Sequence, residues 1–509
     1  MAKVYSNKIS EYTHENGGRV FLLFLLFALA IYEFINAGFN AFAIICLSPL
    51  AILFVYAAFR WKMAIFWTLI VVNWFIMNRN YAPPVPRSLI DEMLELLLIA
   101  IAIIDIRHIP HFDRAWNFML LAIMIWCGFC VIEIFNDSCG LGMNINAWFT
   151  GFRLMALHLI WILLVFSVYI SNPKSLNTYL RVWACLSLFS AFWTWKMINI
   201  GFTIEEQSWL YNSGYVTHIL NGGTLIRYWS TFNDAATYGC NAGSSAIAFF
   251  IFGITSKFKI EKLFYIITAA IVTWGMFQSG TRTGIFTMIA GFAVFLVLSK
   301  STKILISSAI LGGVCLFLLI FTNIGNSNQQ IRRMRSAFDK KDASATVRDV
   351  NKASIAKYIK DAPWGIGIGM MSENIPANNK FKLLSQIPPD SEYVFIWVRT
   401  GPVGVSVFTC CMVLILLGGC VVVLFRLKSP SLIGIGGGLC ASFVSIHIGA
   451  YANQILYQYP NGLTFFGAMA IVYVLPYIEK EWIQYEEKRL AAEAERKRLK
   501  LEKKLASRV

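Results

Sequence analysis

Residues 402–424 read PVGVSVFTCCMVLILLGGCVVVL and contain no charged side chain. A helix that crosses a bilayer needs about 20 mostly apolar residues, so this stretch predicts a transmembrane helix. Similar runs occur near residues 20–36, 41–59, 63–77, 89–106, 116–135, 153–170, 178–200, 235–255, 263–278, 284–298, 304–321, 432–450 and 462–478. The sequence therefore predicts an all-α polytopic membrane protein with about 12–14 transmembrane helices.

The composition of the 509-residue chain agrees with a location in lipid. Hydrophobic residues make up 57% of it and charged residues only 14%. A soluble chain carries about 25% charged residues, so a soluble multidomain enzyme is excluded. The formal net charge of +16 would suggest nucleic acid in a soluble protein. Here the positive charges lie in short loops between apolar runs, so we expect membrane lipids and no nucleic acid as partners.

The positive charges are distributed unequally between alternate loops. With the N-terminus inside, the inner loops and both termini hold about 25 Lys and Arg, whereas the outer short loops hold about four. Cytoplasmic loops retain Lys and Arg, so both termini are predicted to be cytoplasmic. The predicted divisions are a cytoplasmic N-terminus (1–19), helices (20–321), a large outer loop (322–392), further helices (393–478) and a charged helical tail (479–509).

The outer loop is too long for a structureless connection in a compact protein, which makes it a functional candidate. Within it, residues 344–359 predict a helix that carries Arg348 and ends at Asp361-Ala362-Pro363, and the glycine-rich sequence 365–369 predicts a turn. The apolar side chains on one side of this helix are Val347, Val350, Ile355, Tyr358 and Ile359. Because no strand precedes the glycines, they do not indicate a dinucleotide site. A surface charge is the alternative for Arg348.

The four cations in the outer short loops are Arg79, Arg87, Arg227 and Arg282. Arg79 and Arg87 flank a proline-rich turn at 82–86 and are interpreted as solvated. Arg282 lies in FQSGTRTG (277–284), a polar break at the outer end of a span. Small residues let a ligand approach the backbone there, and the next helix directs its positive N-terminal end toward the break. Because arginine binds phosphate bidentately, the break is a candidate phosphate-binding site. An arginine that only anchors a helix end is the alternative.

Arg227 opens the segment RYWSTFND (227–234), which precedes the eighth predicted span on the outer side. Aromatic faces stack on sugar rings and lie naturally at the membrane interface, so this segment suits a glycan attached to a lipid diphosphate. An aromatic belt with one solvated arginine is the alternative.

A fourth candidate segment, Asp390-Ser391-Glu392-Tyr393, enters the twelfth predicted span. Carboxylates at the edge of a membrane helix are costly unless they face water, a cation or a substrate. Asp390 or Glu392 is therefore a candidate to accept a proton from an attacking hydroxyl. A helix N-cap at Asp390 or Ser391 is the alternative.

The sequence contains no pattern for a metal or a nucleotide where one would function. The eleven cysteines form no CxxC or Cys/His spacing within a loop, and HExxH, P-loop and GxSxG patterns are missing. We predict neither a metal site nor a cofactor.

Together these segments resemble the O-antigen ligase and polymerase superfamily of polytopic membrane glycosyltransferases. The similar features, in order, are the Arg-aromatic segment at 227, the Ser-Gly-x-Arg-x-Gly break at 279–284, Arg348, the Pro-x-Gly-x-Gly-x-Gly of 363–369, and a polar pair followed after nine residues by Gly401 and Gly404. In the ligases the polar pair begins with His, whereas here it is Asp390-Ser391. The resemblance covers about residues 220–425.

The resemblance implies transfer of a glycan from an undecaprenyl-diphosphate carrier on the periplasmic face of a bacterial inner membrane. The acceptor would be a hydroxyl of lipid A-core or of another lipid-linked glycan. Arg227, Arg282 and Arg348 would bind the diphosphate and orient the donor sugar. Asp390 would replace the ligase His as the base, with Arg282 and Glu392 as further catalytic candidates.

Neighbouring polar side chains are candidates for the substrate pocket: Ser279, Thr281, Thr283, Asn233, Ser391 and Tyr393. A carboxylate is a weaker base than an imidazole. Asp390 therefore has two alternative roles, which are to orient the acceptor sugar by hydrogen bonds or to pair with an arginine.

Two other functions remain open. A polysaccharide polymerase would share every motif and differ only in its acceptor pocket. A flippase or exporter of lipid-linked sugars would instead place charges in mid-span around a central cavity. Glu95, Glu133 and Lys196 lie within or near predicted spans, but no related halves are detected and the polar groups gather on the outer face. This distribution favours an enzyme.

Overall fold

The computed structural model describes residues 17–37, 53, 56–57, 59–80, 86–107, 111–220, 223–300, 302–324, 326–338 and 343–506. The chain divides into two compact units, Met1–Ile65 and Phe66–Val509. In the first unit, helix α1 (Gly17–Ala37) coincides with the first predicted span.

The remaining elements run in chain order. They are α2 (Lys62–Phe75), α3 (Arg87–Ile104), α4 (Phe118–Ile132), α5 (Ile145–Phe152), α6 (His158–Tyr169), α7 (Pro173–Asn199), α8 (Ile204–Asn212), α9 (Tyr215–His218), β1 (Ile219–Leu220), β2 (Leu225–Ile226), α10 (Ala235–Thr255), α11 (Lys259–Gln278), α12 (Thr283–Leu298), α13 (Thr302–Phe321), α14 (Gln329–Arg335), α15 (Ala343–Ile359), α16 (Lys382–Gln386), α17 (Glu392–Val421), α18 (Pro430–Ala452) and α19 (Gly467–Ala506). The two short strands form an antiparallel hairpin in which Ile219 pairs with Ile226. All other regular elements among the residues that the structure describes are helical, and the protein is an all-α polytopic membrane protein.

Within the described residues, six helical segments are long and apolar enough to cross a membrane, judged by length and composition. They are Phe118–Phe135, Ile145–Tyr169, Lys259–Gln278, Glu392–Arg426, Pro430–Ala452 and Gly462–Leu499. Thirteen of the fourteen predicted runs coincide with helices. The run near 41–59 lies largely outside the described residues.

The centre of the second unit is a group of helices in which α10 packs against α11, α12 and α18. Ile247, Ile251, Phe295 and Ala441 form one buried cluster between them. Helices in lipid have little hydrophobic drive to associate, so small residues that permit close approach favour packing. Gly291 is one example, because a Cβ at this position would overlap the hydroxyl of Ser445. This packing fixes the outer ends of α10, α11, α12 and α18 relative to one another.

The outer loop contains α14, α15 and α16. The predicted helix at 344–359 is confirmed as α15, with Ile355 and Ile359 buried in a cluster that includes residues of the following turn. Val347 and Val350, on the predicted apolar side, are both more than half exposed (57% and 59%). The second half of α15 packs into the cluster through Ile355 and Ile359.

The glycine-rich sequence 365–369 forms the predicted turn and packs against α17. The amides of Ile366 and Gly367 donate to the carbonyls of Val398 and Arg399 at 3.0 and 2.9 Å. Gly401 has a φ of +66°, and a Cβ there would overlap the carbonyl oxygen of Pro363. These glycines therefore let the loop backbone lie directly on the spanning helix.

Replacement of Gly401 by alanine is expected to destabilise the protein by about 2–5 kcal/mol, since it combines a left-handed backbone with an overfilled contact. The unfolding midpoint in detergent, followed by intrinsic fluorescence, measures this loss. Gly128→Ala is the matched control, because nothing lies within 4 Å of a Cβ at that helical position. Equal midpoints for the two variants would contradict the packing role of Gly401.

The predicted charged tail is part of α19, which continues from Gly467 to Ala506 without a break at residue 479. Ion pairs join this helix to the start of α11. Glu486 pairs with Lys257 and Arg489 pairs with Glu261, both at 2.7 Å. The last span and the tail are therefore one element, held to α11 on the side of the protein opposite the outer loop.

Candidate active site

The polar break between α11 and α12 is fixed by its own side chains. The Ser279 hydroxyl donates to the carbonyl of Met276 at 2.7 Å and accepts the Thr281 amide at 3.1 Å. The Thr281 hydroxyl donates to the carbonyl of Ala235 at 2.7 Å. Gly280 has a φ of +58°, which glycine adopts without strain. Ser279 and Thr281 are buried and shape the turn, so their predicted role in substrate binding is not supported by their orientation.

Arg227 holds the β-hairpin onto this break. Its guanidinium donates to the Thr281 hydroxyl at 3.1 Å, to the carbonyl of Ser279 at 3.3 Å and to the carbonyl of Thr217 at 3.0 Å. Because the side chain lies against the break, Arg227 and Arg282 belong to one local assembly.

Helix α14 covers the same break from the outer loop. Gln330 donates to the carbonyl of Ile226 at 3.2 Å, and Arg333 donates to the carbonyl of Gly280 at 2.6 Å. Arg282 donates to the hydroxyl of Ser336, just beyond α14, at 3.3 Å. The loop, the hairpin and the ends of two spans therefore meet at Arg282.

Electrostatics relate Arg348 to this assembly. Burial lowers the pKa of Arg227, and the positive charges of Arg282 and Arg348 lower it further, while Asp234 opposes the change. A guanidinium responds in this way only to charges that lie near it. The three predicted arginines, although far apart in the chain, therefore lie near enough to one another to interact electrostatically.

Of these three arginines, Arg348 lines a cavity of about 490 Å³. Arg348, Asp349, Asn351, Lys352 and Ile355 of α15 line one wall, and the other residues are Pro388, Asp390, Ser391, Tyr393, Val394, Trp397, Val405, Tyr451 and Ala452. Cationic, acidic and aromatic side chains share this space. The cavity therefore offers anion-binding groups, a carboxylate and flat apolar faces together.

Three adjacent residues at the start of α17 have different environments. The Asp390 carboxylate accepts the side-chain amide of Asn351 at 2.8 Å on the cavity wall. The hydroxyl of Ser391 donates to the carbonyl of Ala450 at 3.3 Å. Glu392 is 2% exposed and accepts the backbone amide of Leu456 at 2.8 Å. Glu392 therefore orders the loop between α18 and α19, and the geometry favours Asp390 as the reactive carboxylate.

One side chain connects the cavity to the polar break. Asn453 follows the cavity residues Tyr451 and Ala452, and its amide donates to the hydroxyl of Thr283 at 3.1 Å. Thr283 is next to Arg282 in the chain. The wall that carries Tyr451 therefore continues directly into the arginine-bearing break.

The interpretation of Arg79 as a solvated cation is wrong. Its guanidinium donates to the backbone carbonyl and, at 3.1 Å, to the side-chain oxygen of Asn233, and it lies 4.1 Å above the ring of Trp209. Burial lowers the pKa of Arg79 to about 10. The oxygens of Asn233 thus accept hydrogen bonds from Arg79. These contacts favour a role for Asn233 in positioning the segment 227–234 over its predicted role in the substrate pocket.

Several cavity residues were not identified from the sequence. Asn351 and Lys352 lie on α15 beside Arg348, and Trp397 and Tyr451 contribute from α17 and α18. The spacing of four residues between Arg348 and Lys352 is the signal that identifies a shared helix face. The approach of Tyr451 depends on packing between distant segments, for which the sequence gives no local signal.

Two of the charges near predicted spans have partners within the protein. Lys196 pairs with Glu206 of α8 at 3.1 Å, and Glu133 accepts the side-chain amide of Asn136 at 2.8 Å. Both pairs join a span to an adjacent outer segment. They do not support the charged central pathway that a flippase would use.

His218 is a buried neutral group beside Arg227. Its Nε2 accepts the Ala235 amide at 3.1 Å, which fixes the start of α10. Burial and the charge of Arg227 lower the pKa of His218 to about 4. Because an unfolded histidine titrates near 6.5, the folded state resists protonation, and stability is expected to decrease as the pH falls from about 6.5 toward 4. The decrease between pH 7.5 and pH 5 is about 2 kcal/mol.

Unfolding midpoints of the wild type and His218→Gln at pH 7.5 and pH 5 test this expectation. The glutamine oxygen can still accept the Ala235 amide but does not titrate, so the variant should lose most of the pH dependence. An identical pH response in both proteins would show that other groups cause it.

Arginines, a carboxylate and aromatic side chains thus lie close to one another at the ends of membrane helices. Residues 267–409 match the family model described as O-antigen ligase. This match confirms the resemblance to the O-antigen ligase and polymerase superfamily over a little more than a quarter of the chain. It includes Arg282, Arg348 and Asp390, whereas Arg227 precedes it. No curated protein matches the chain.

Proposed function

We propose that the protein is an O-antigen-ligase-like glycosyltransferase that moves a glycan from an undecaprenyl-diphosphate carrier to an acceptor hydroxyl. The acceptor is a hydroxyl of lipid A-core or of a similar glycolipid, and the reaction takes place on the periplasmic face of the inner membrane. The observation that carries the proposal is that Arg348 and Asp390 line one cavity, and that Asn453, next to this cavity in the chain, donates to Thr283 beside Arg282.

The arginines would act on the leaving group. When the bond between the anomeric carbon and the diphosphate oxygen breaks, negative charge develops on that oxygen. Preorganised guanidinium groups stabilise such charge without reorganisation. Arg282 and Arg348 are assigned to the diphosphate. Arg227 is assigned mainly to holding the break, because its donors already bind Ser279, Thr281 and Thr217.

Asp390 would act on the acceptor. Asn351 donates to its Oδ2 and so fixes the orientation of the carboxylate in the cavity wall. As the acceptor oxygen bonds to the anomeric carbon, its proton passes to Asp390 while undecaprenyl diphosphate leaves with the bonding electrons. Protonated Asp390 then returns the proton to water. The reaction consumes one acceptor hydroxyl and one donor and requires no nucleotide.

The aromatic wall suits the sugar part of the substrates. Tyr393, Trp397 and Tyr451 line the same cavity as the charged groups. Aromatic side chains provide apolar faces for sugar rings and also suit the membrane interface. This combination supports a lipid-linked glycan better than a small free anion.

The test is reconstitution of the purified chain with an undecaprenyl-diphosphate-linked glycan and lipid A-core, without nucleotide. Formation of a glycan–lipid A-core product supports the proposal. Lengthening of the glycan on its lipid carrier would assign the protein as a polymerase. Movement of the donor between leaflets without a new glycosidic bond would assign it as a flippase.

A further inference from the structure

A group of ionisable side chains that do not line the cavity lies within a predicted span. Helix α3 presents Asp91, Glu92 and Glu95 on one face, and their exposed fractions are 0%, 5% and 0%. Carboxylates buried within a membrane are costly, so their partners usually reveal a function. The opposing helix is α6, which packs against α3.

The chain between α5 and α6 brings two basic groups to this acidic face. Residues 153–157 form a π-helical turn, so the i→i+5 spacing places Arg153 and His158 above one another. In an ordinary α-helix, with 3.6 residues per turn, these two side chains would diverge. Arg153 pairs with Glu92, and the Nε2 atom of His158 lies 3.1 Å from Glu95 and 3.4 Å from Asp91.

The buried carboxylates are incompletely satisfied by the protein. Among the described residues, the buried Oε2 atom of Glu95 has no hydrogen-bond partner, and the buried Oδ2 atom of Asp91 has only its 3.4 Å contact with Nε2 of His158. Asn73 donates to the other oxygen of Asp91 at 2.9 Å, and its own carbonyl oxygen also lacks a partner. Such unpaired buried groups each cost about 1–3 kcal/mol or more.

The geometry around His158 is compatible with a ligand bound between these groups. Its Nε2 carries at most one hydrogen, which cannot serve two carboxylates fully. Nε2 and one oxygen from each of Asp91 and Glu95 all lie within 4.8 Å of one another. Ligand atoms about 2.0–2.1 Å from a tetrahedral zinc ion are roughly 3.3 Å apart, close to the two distances measured from Nε2.

We propose that Asp91, Glu95 and His158 bind one Zn²⁺ ion that joins α3 to α6, at a site that shares no lining residue with the cavity. Mixed imidazole and carboxylate ligands suit Zn²⁺ better than Mg²⁺ or Ca²⁺. With His158 neutral, three carboxylates and one guanidinium leave two negative charges, which a divalent cation balances. The local sequence signal is weak because α3 and α6 contribute ligands that are far apart in the chain.

The experiment uses the full chain without a polyhistidine tag, purified in detergent and stripped with a chelator. Zn²⁺ is then added, and the bound metal is measured by mass spectrometry and by competition with a chromophoric chelator. The wild type is expected to bind one Zn²⁺ per chain and to unfold at a higher temperature with it. Asp91→Asn and Glu95→Gln are expected to weaken binding at least about 100-fold. Glu133→Gln, which alters a buried carboxylate elsewhere, should retain it.

The outcomes separate metal binding from proton sharing. Equal zinc affinity in Asp91→Asn and the wild type, or equal loss in Glu133→Gln, would overturn the proposal. So would a wild type that binds Mn²⁺ but not Zn²⁺, or neither ion, since protons on His158 and one carboxylate would then balance the charge. If the variants do not accumulate, the absorption spectrum of Co²⁺ bound to the wild type identifies the ligands of the metal. Nitrogen and oxygen ligation supports the site, and a thiolate band assigns the metal to cysteine instead.

Discussion

Replacement of Arg282 by alanine is expected to reduce glycan transfer by about 10²–10³-fold, the cost of removing one preorganised donor from developing negative charge. The protein should still accumulate, because the turn is held by Ser279, Thr281 and Arg227. Initial rates with saturating donor, compared at equal amounts of folded protein, measure the effect. Arg282→Lys should recover part of the activity, since it restores the charge but not the bidentate geometry.

Arg335→Ala is the matched control for this prediction. Arg335 lies on the same outer-loop helix region that covers the break, but it binds Asn326 and the carbonyl of Ile324 within the loop. Its loss should leave transfer within about threefold of wild type, because surface substitutions away from such sites change little. Normal transfer by Arg282→Ala would remove Arg282 from the mechanism.

Replacement of Asp390 by asparagine is expected to lower the rate by about 10²–10⁴-fold, the usual contribution of a general base. The change preserves the volume and polarity of the side chain but removes its capacity to accept a proton. A substituted imidazole can act as a base, so Asp390→His should retain measurable activity. The rate at saturating acceptor is the quantity to compare.

Asp349→Asn provides the comparison for Asp390→Asn. Asp349, on α15, also lines the cavity. Its replacement by asparagine removes the same unit of negative charge as Asp390→Asn. If the two variants lose activity equally, the effect of Asp390 is electrostatic and not that of a base. An Asp390→Asn protein with full activity and a raised acceptor KM would instead assign Asp390 to acceptor orientation.

The sequence predicts the helices well because hydropathy is a local property. A run such as 432–450 is long and apolar enough to cross a membrane, and it forms α18 over Pro430–Ala452. The outer-loop helix at 344–359 is likewise predicted from a local pattern, but that pattern does not determine which of its apolar side chains are covered. Val347 and Val350 are exposed because the cluster that covers Ile355 ends before it reaches them.

The arrangement of the candidate site could be predicted only for residues that belong to a recognisable sequence motif. The prediction that Arg348 and Asp390 belong together agrees with their shared cavity. Roles in substrate binding were assigned to Ser279, Thr281 and Asn233 on polarity alone, whereas the structure shows that neighbouring backbone groups and Arg79 occupy them. Hydrogen-bond partners depend on tertiary packing, which a one-dimensional pattern does not contain.

The group around His158 illustrates the same limit. Glu95 was noted as a charge near a span, but its contact with His158 depends on a π-helical turn and on the packing of α6 against α3. Neither feature has a residue pattern comparable to HExxH.

Near the beginning of helix α11, Glu261 forms an ion pair with Arg489 of the charged tail. The other end of this helix, at Gln278, leads into the break that contains Arg282. The 20 residues of α11 span about 30 Å, which is about the hydrophobic thickness of a membrane. A displacement of the tail would therefore act on the same helix that ends at the break bearing Arg282. The ion pair at one end of α11 and the polar break at its other end are joined by a single helix.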